Sequence, residues 1–185
     1  MLKPYLVTLA IVAAMMLVGL IELGMGREPM CTCGFIALWH GAVDSQNSQH
    51  ISDWYTFTHV EHGIGFYALL VLVGRRMPLP VRLLAAVAIE GAWEVAENTP
   101  FIIDRYRTAT VSLDYYGDSV VNSLADIVAM MAGFWLARRL PVRVTVALVV
   151  VTEVLLAIAI RDNLALNILM LIYPLDGVRQ WQLGG

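Results

Sequence analysis

Five long apolar stretches dominate the pattern of this chain, and each is close to the length of a helix that crosses a bilayer. They occupy residues 5–25, 55–74, 81–97, 118–137 and 142–160. A spanning helix needs about 20 mostly apolar residues. The pattern therefore predicts an all-α integral membrane helical bundle with five transmembrane helices, in which residues 1–185 form a single membrane domain.

Arginine-rich links predict the orientation of this bundle. The links at residues 75–82 and 138–143 each contain three arginines and no acidic residue. Cytoplasmic loops of membrane proteins carry an excess of lysine and arginine. These two links, together with Lys3, predict that the N-terminus lies inside. The loops 26–54 and 99–117 and the C-terminal segment 161–185 are then outside.

Two further apolar runs are too short to cross the membrane. They cover residues 34–43 and 164–173, about ten residues each, whereas a crossing needs about 20. We expect both to form helices that lie in the outer interface or re-enter it.

The composition agrees with a membrane protein and excludes several other classes. Of the 185 residues, 59% are hydrophobic and only 15% are charged, whereas a soluble domain has about 25% charged residues. The formal net charge of −3 gives no basic surface for nucleic acid. A water-soluble enzyme and a nucleic-acid-binding module are therefore excluded, and membrane lipids are the expected surroundings.

The polar residues within three predicted spans follow helical stripes. Residues spaced by three or four positions share one face of a helix, and a charge at the centre of a bilayer costs at least about 2.5–3.5 kcal/mol. The stripes should therefore face one another around one polar chamber that opens to the outer side. They consist of Tyr55, His59, His62 and Phe66; of Glu90, Glu94 and Glu97; and of Asp118, Asn122 and Asp126.

The carboxylates of this chamber need compensation, because so many acids close together cannot all remain ionised. Glu90, Glu94, Glu97, Asp118 and Asp126 would share the chamber. Some could be protonated, or a divalent cation could bind among them. The third possibility is that the arginines at positions 105, 107 and 161 fold over the mouth.

The spacing His59-x-x-His62 presents two imidazoles on one helical face, which makes a metal site one candidate. With Glu94 and Asp118 as further ligands, the set suits zinc, manganese or iron, and a bound metal would activate water for attack on an ester or phosphoester. Alternatively, the histidines bind neighbouring carboxylates without metal, and His59 or His62 acts as a general base. The predicted catalytic residues are His59, His62, Glu94 and Asp118, with Asn122 as an orienting hydrogen-bonding residue.

Arg105 and Arg107 are candidates for substrate binding at the outer interface. A forked guanidinium pair suits the phosphate of a lipid head group, and Glu97 and Asp126 complete the predicted substrate-binding set. The alternative is that the arginines only neutralise Glu97 and neighbouring loop acids.

The polar run before the second span contains the residue types of a serine-nucleophile triad. These are Ser45 or Ser48 with His50 and Asp53. No Gly-x-Ser-x-Gly elbow accompanies them, and the alternative is a capped helix start with Ser52 or Asp53 as the N-cap residue.

Cys31 and Cys33 lie in the outer loop, separated by one residue. A disulfide, a free pair and soft metal ligation are all compatible with this spacing.

Several sequence blocks resemble the signature segments of an uncharacterised family of small multi-pass bacterial inner-membrane proteins. The resemblance covers nearly the whole chain and implies inner-membrane placement, but that family has no known activity. The blocks are 48–63 (SQHISDWYTFTHVEHG), 93–98 (WEVAEN), 116–126 (YGDSVVNSLAD), 161–164 (RDNL) and 181–182 (WQ).

A weaker similarity is to VanZ-like membrane proteins. The matching residues are Glu94 on a helix, Arg105 or Arg107 in the loop, and Asp118 with Asn122 at the start of a helix. The chain departs from that pattern at Ala125, where the family has glycine, and at Asn98. The similarity implies a shared helical scaffold and no substrate.

Three classes of function follow from these residues. The leading hypothesis is a multi-pass protein of the bacterial inner membrane whose polar site faces the periplasm. It would bind or modify a lipid or a lipid-linked envelope precursor, as a hydrolase or transferase if it is an enzyme. The second is a proton- or cation-coupled transporter subunit, although the cytoplasmic half of each span carries no proton relay. The third is a non-catalytic assembly factor held together by interhelical polar contacts, worth about 0.6 kcal/mol each.

Overall fold

The computed structural model describes residues 4–184, and within this range the chain is all-helical. The helices are α1 (Pro4–Gly24), α2 (Thr56–Val73), α3 (Leu79–Glu97), α4 (Pro100–Ala109), α5 (Val120–Arg139), α6 (Val142–Ile160), α7 (Leu164–Ile172) and α8 (Asp176–Gln182).

Four of these helices, α1, α2, α5 and α6, are long and apolar enough to cross a membrane. The prediction of a helical membrane bundle is therefore confirmed. The predicted third span corresponds to α3, which has 19 residues but includes Arg82, Glu90, Glu94 and Glu97. It packs against α1, α2 and α5, so these neighbours cover much of its surface. A fifth crossing and the orientation of the termini remain predictions.

The outward faces of α1 and α6 carry large apolar side chains. Leu20 in α1 is 64% exposed, and Ile158 in α6 is 75% exposed. Exposed apolar surface of this extent suits the hydrocarbon of a bilayer, where it meets acyl chains instead of water. These two helices therefore form much of the lipid-facing surface of the bundle.

Helices α2 and α5 run parallel and touch backbone to backbone. A Cβ atom at Gly63 would lie 1.9 Å from the carbonyl oxygen of Met130, and one at Gly133 would lie 1.9 Å from that of Val60. Tyr67 packs against Phe134, and these residues lie four positions after Gly63 and Met130, respectively. Because the helices are parallel, the arginine-rich links that follow them lie at the same end of the bundle.

A closely packed apolar core surrounds this crossing. Ile127, Met130 and Phe134 of α5 are fully buried and pack with Ala86 and Val87 of α3. The core includes Leu70 and Leu83, near the arginine-rich links, and extends past the middle of α5 to Ile127.

The first loop differs from its prediction. Residues 34–43 form no helix, because their backbone pairs with the segment just before α2: the Ile51 amide donates to the Ala37 carbonyl, and the His40 amide donates to that of Ser52. The prediction of a helix there is wrong, whereas the one for 164–173 is confirmed, since α7 covers most of that run.

This loop also covers the beginning of α5. The amides of Ser119, Val120 and Val121 donate to the carbonyl oxygens of Ser48, Glu28 and Pro29, respectively. The first loop and the N-terminus of α5 therefore satisfy each other's backbone groups, although they lie far apart in the sequence.

Two helix starts also differ from expectation. The predicted outer loop 99–117 contains α4, which begins where Thr99 accepts a hydrogen bond from the Ile102 amide and where Pro100 is the first helical residue. The N-cap residue of α2 is Tyr55, so neither Ser52 nor Asp53 caps it. Asp53 instead accepts a hydrogen bond from the Tyr55 amide and shapes the preceding turn.

The C-terminal helices are fixed by buried carboxylates. Glu153 of α6 accepts hydrogen bonds from the first amides of α7, at Leu164 (2.8 Å) and Ala165 (3.1 Å). Asp162, which is fully buried, accepts hydrogen bonds from four other groups. These are the Tyr55 hydroxyl, the Asn163 amide, and the side-chain amides of Asn167 and Gln182. Asp162 thereby ties α7 and α8 to the start of α2.

The stability of this C-terminal unit should depend on pH through Asp162. Burial raises the pKa of Asp162 to about 6, and the hydrogen bond from the Asn163 amide only partly offsets this effect. Because the folded pKa exceeds the unfolded one, the proton-dependent part of the contribution of Asp162 to stability is fully present below about pH 4 and is lost as pH rises through 6. We expect Asp162→Asn to flatten this part of the pH profile, measured as the thermal midpoint of both proteins in detergent. Parallel profiles would contradict the assignment.

Candidate functional site

A cavity of about 500 Å³ lies at the end of the bundle opposite the arginine-rich links. The N-terminal half of α2, the C-terminal half of α3, α4, α7 and the first two long loops surround it. Its walls include Asp44, Ser48, Tyr55, His59, His62, Phe66, Ile89, Trp93, Glu97, Tyr106, Asp114, Tyr115, Asp118, Leu164, Asn167, Ile168 and Leu171.

The cavity is lined by both apolar and polar side chains. Ile168 and Leu171 of α7 and Trp93 of α3 are among the apolar ones, while His59 and His62 of α2 are among the polar ones. Among the described residues that line it, the formally charged side chains are all acidic, with no lysine or arginine. The cavity therefore combines hydrophobic surface with an electronegative end.

His59, His62, Glu90 and Glu94, which we call the histidine–glutamate cluster, meet where α2 packs against α3, and the two histidines also line the cavity. Nδ1 of His59 is 2.7 Å from Oε1 of Glu90, and Nδ1 of His62 is 3.1 Å from both oxygens of the same carboxylate. Helical spacing brings them together, because His59 and His62 share one face of α2, as Glu90 and Glu94 share one face of α3.

Glu94 and Asp126 approach His59 from either side without forming hydrogen bonds to it. Oε1 of Glu94 is 3.4 Å from Nδ1 of His59, and Oδ2 of Asp126 is 3.7 Å from Nε2. Glu94 is fully buried, and neither of its carboxylate oxygens has a hydrogen-bond partner. Three carboxylates thus surround one imidazole.

Asp118 lies in a different group from the one predicted. Its carboxylate accepts hydrogen bonds from Nδ2 of Asn98 (2.9 Å) and from the hydroxyl of Tyr115 (3.0 Å), and within the described chain it forms no ion pair with either histidine. Asp118, Glu94 and Glu97 have oxygens within 4.8 Å of one another, as do the ligand atoms of His59, His62 and Glu90. Glu94 therefore connects two groups of side chains that could hold a metal ion.

Asn122 holds the first loop and does not line the cavity. Its Nδ2 donates to the carbonyl oxygen of His50 (2.9 Å), next to a hydrogen bond from the Ser119 hydroxyl to the Gln49 carbonyl. Through this contact, Asn122 anchors the first loop to α5. Its role in orienting a catalytic group by a hydrogen bond remains a prediction.

The predicted arginines also lie away from the cavity walls. Nε of Arg105 donates to the carbonyl oxygen of Leu171 (2.8 Å), which fixes α7 against α4. Arg107 is exposed, and Arg161 donates to the Trp181 carbonyl. The structure thus brings together the histidines, Glu90, Glu94 and Asp126, but it does not bring Arg105 and Arg107 to them.

The serine-triad arrangement is not formed. Nδ1 of His50 accepts a hydrogen bond from the Ala37 amide, and Nε2 faces the side chain of Gln46, so neither ring nitrogen faces Ser45 or Ser48. Burial lowers the pKa of His50, and the neighbouring His40 lowers it further, which agrees with a neutral ring that accepts at Nδ1.

Cys31 and Cys33 are joined by a disulfide bond, which resolves the alternatives left open by their spacing.

Sequence reasoning missed several residues of this region. Asn98 binds both the backbone and the side chain of Asp118, and the Tyr106 hydroxyl donates to Asn167 of α7. Asn98 follows the last residue of α3. The signal in the sequence that could have identified it was a polar residue directly after a predicted span. Nothing in the pattern of α7 indicated that it forms a cavity wall.

Similarity to known proteins extends over most of the chain. Residues 22–184 match the family model described as "Protein of unknown function (DUF2585)". A UPF0314 protein of Sinorhizobium fredii is 59% identical over 161 residues, which cover 86% of this chain and 82% of the relative. A UPF0314 protein of Paracoccus denitrificans is 54% identical over 180 residues, covering 97% of this chain and 92% of the relative.

No solved structure matches this chain. The family model extends from the end of α1 to α8, and the two relatives cover most of the same chain. The chain therefore belongs to the DUF2585 family, whose curated relatives are called UPF0314 proteins.

Proposed function

We propose that this membrane protein binds or modifies an amphipathic, lipid-like molecule whose polar end enters the cavity. The observation that carries the proposal is a cavity lining that combines many apolar side chains with acidic side chains and two histidines. Binding sites for small molecules are mostly apolar with a few convergent polar groups, and a lipid combines the same two features in one molecule.

The size and the rim of the cavity suit the polar end of a lipid. Small-molecule sites usually enclose about 300–1,000 Å³, and this cavity encloses about 500 Å³. Ile89 of α3 and Ile168 of α7 line the cavity and are also 41% and 48% exposed. An acyl chain attached to the bound head group can therefore leave along this apolar rim into the bilayer.

The charge of the lining favours an amine-bearing head group over a bare phosphate. Asp44 and Asp114 lie at the exposed mouth, and Glu97 and Asp118 lie further in. A hydrogen bond from the Gln46 amide, and then one from His40, lower the pKa of Asp44, so this carboxylate is ionised at neutral pH. Trp93 adds an aromatic face suited to a cation. A phosphate would instead meet acidic side chains.

The same proposal places the cavity on the periplasmic side of a bacterial inner membrane. The arginine-rich links lie at the opposite end of the bundle, and such links are normally cytoplasmic. A ligand would then reach the cavity from the outer leaflet or from the periplasm.

The substitution Ile168→Trp should block binding, because the larger side chain would fill part of the cavity. We expect the amount of retained lipid to fall about tenfold, the result of losing about 1.4 kcal/mol of binding free energy. The control is Ile172→Trp, since Ile172 is on the same helix, is 77% exposed and does not line the cavity.

The measurement is native mass spectrometry of protein reconstituted in equal amounts of phospholipids with ethanolamine and glycerol head groups. Wild-type protein should retain the ethanolamine lipid, and Glu97→Gln should reduce that preference. Equal retention by the two tryptophan variants, or a preference for the glycerol lipid, would contradict the proposal.

A further inference from the structure

We infer that the histidine–glutamate cluster binds one divalent transition-metal ion, with His59, His62, Glu90 and Glu94 as its ligands. The inference concerns the inner end of the cavity and holds whatever molecule occupies the rest of it. It changes the ligand set expected from the sequence, because Glu90 takes the place of Asp118.

The spacing of His59, His62 and Glu90 is close to that of a metal site, and Glu94 approaches this group at His59. Metal–ligand distances of 2.0–2.2 Å place neighbouring ligands of a tetrahedral ion about 3.4 Å apart. Nδ1 of His62 is 3.1 Å from Oε2 of Glu90, Nδ1 of His59 is 2.7 Å from Oε1 of Glu90, and Nδ1 of His59 is 3.4 Å from Oε1 of Glu94. Small side-chain movements are enough to admit an ion between them.

An independent observation is the state of Glu94. Its side chain is fully buried, it is directed toward Nδ1 of His59, and neither of its oxygens has a hydrogen bond. A buried carboxylate without a partner is costly. A cation between Glu94 and His59 would supply the missing partner.

The two ring nitrogens of His59 give the second argument. Both nitrogens face carboxylates, Nδ1 toward Glu90 and Glu94 and Nε2 toward Asp126. A neutral imidazole carries only one proton, so one nitrogen would face an acceptor without a hydrogen. In metal sites, a ligating histidine commonly directs its second nitrogen to a carboxylate that fixes the ring. Asp126 stands in that position, and the metal would lie at Nδ1.

The type of ligand indicates the class of ion. Imidazole with carboxylate suits zinc, manganese and iron, whereas magnesium and calcium take oxygen ligands. His59 and His62 also line the cavity, so an ion at this position would be open to a molecule bound there.

The alternative is a set of ion pairs in which one or both histidines carry a proton. Only the metal arrangement gives stoichiometric binding of an ion, and the experiment measures that binding directly.

The test uses the full chain, purified in detergent, stripped with a chelator and titrated with Zn²⁺, with Mn²⁺ and Fe²⁺ as parallel arms. We expect about one tightly bound equivalent of one of these ions, measured by competition with a chelating dye and by elemental analysis. Glu90→Gln and His62→Ala should each remove that binding, and Asp126→Asn should weaken it by about 10–100-fold.

The control variants are His40→Ala and Asp104→Asn, which remove a histidine and an exposed acid outside the cluster and should leave one equivalent bound. If Glu90→Gln does not fold, the titration of wild-type protein decides alone. Less than about 0.2 equivalent of every ion on monodisperse wild-type protein would overturn the inference, as would equal binding by wild type, His62→Ala and Glu90→Gln.

Discussion

Replacing Gly63 with alanine is expected to lower the free energy of unfolding by about 3 kcal/mol or more, at the upper end of what overpacking usually costs. The new Cβ atom would lie 1.9 Å from the carbonyl oxygen of Met130 and 2.6 Å from the Phe134 amide nitrogen. Both atoms belong to the backbone of α5 and cannot rotate away. The two helices would have to separate, and the core around Ile127 and Met130 would lose its packing.

The control lies two residues away on the same helix. Gly65 is exposed and has nothing within 4 Å of the position its Cβ would take. Alanine there should stabilise the helix by up to about 1 kcal/mol, because glycine has the poorer helix propensity. Thermal unfolding of both variants in detergent would check this contrast. Similar midpoints for Gly63→Ala and Gly65→Ala would show that α2 and α5 do not pack as described.

Replacing Asp162 with alanine is expected to detach α7 and α8 from the bundle, at a cost of about 3 kcal/mol. The substitution leaves four donors without their acceptor, on Tyr55, Asn163, Asn167 and Gln182. Each unsatisfied buried group costs about 1–3 kcal/mol. The four penalties together amount to at least about 4 kcal/mol, and the removal of a buried carboxylate offsets part of this sum, which leaves the net cost of about 3 kcal/mol.

Hydrogen exchange of residues 164–182 would measure the effect directly. Asp162→Ala should increase exchange there while the core of α5 stays protected. The same substitution should also reduce lipid retention, because Asn167, Ile168 and Leu171 form part of the cavity wall. The matched control is Asp176→Ala, an exposed acid at the start of α8. Unchanged exchange in Asp162→Ala would contradict the anchoring role.

Much of the helical framework could be predicted from the sequence, because a run of about 20 apolar residues has few alternatives to a spanning helix. Periodicity also predicted which faces of α2 and α3 carry ionisable groups. The cost of exposing these groups to lipid then required the two stripes to meet. The 2.7 Å contact between His59 and Glu90 follows from that reasoning, although the choice of partner within each stripe does not.

Contacts between segments that lie far apart in the sequence could not be predicted in this way. Asp118 was predicted to share a helical stripe with Asp126, yet it lies in the loop before α5 and binds Asn98 and Tyr115. Arg105 had several possible acceptors, and its bond to Leu171 depends on where α7 docks. Such choices depend on loop geometry, which hydrophobic periodicity does not determine.

The sequence blocks RDNL and WQ illustrate the same limit. They stood out as signature segments, but nothing in the pattern showed that they touch. In the structure, Gln182 donates to Asp162 and Arg161 donates to the Trp181 carbonyl. Both blocks belong to one set of hydrogen bonds that holds the C-terminal helices against the bundle.

The backbone pairing of the first loop with α5 has a consequence for the order in which the protein forms during synthesis. The carbonyl groups of Glu28, Pro29 and Ser48 accept hydrogen bonds from the amides of residues 119–121, which the ribosome adds much later. Until α5 has been made, these carbonyl groups of the loop must therefore be satisfied by water. Since α7 follows later still, the cavity is closed only when the chain is almost complete.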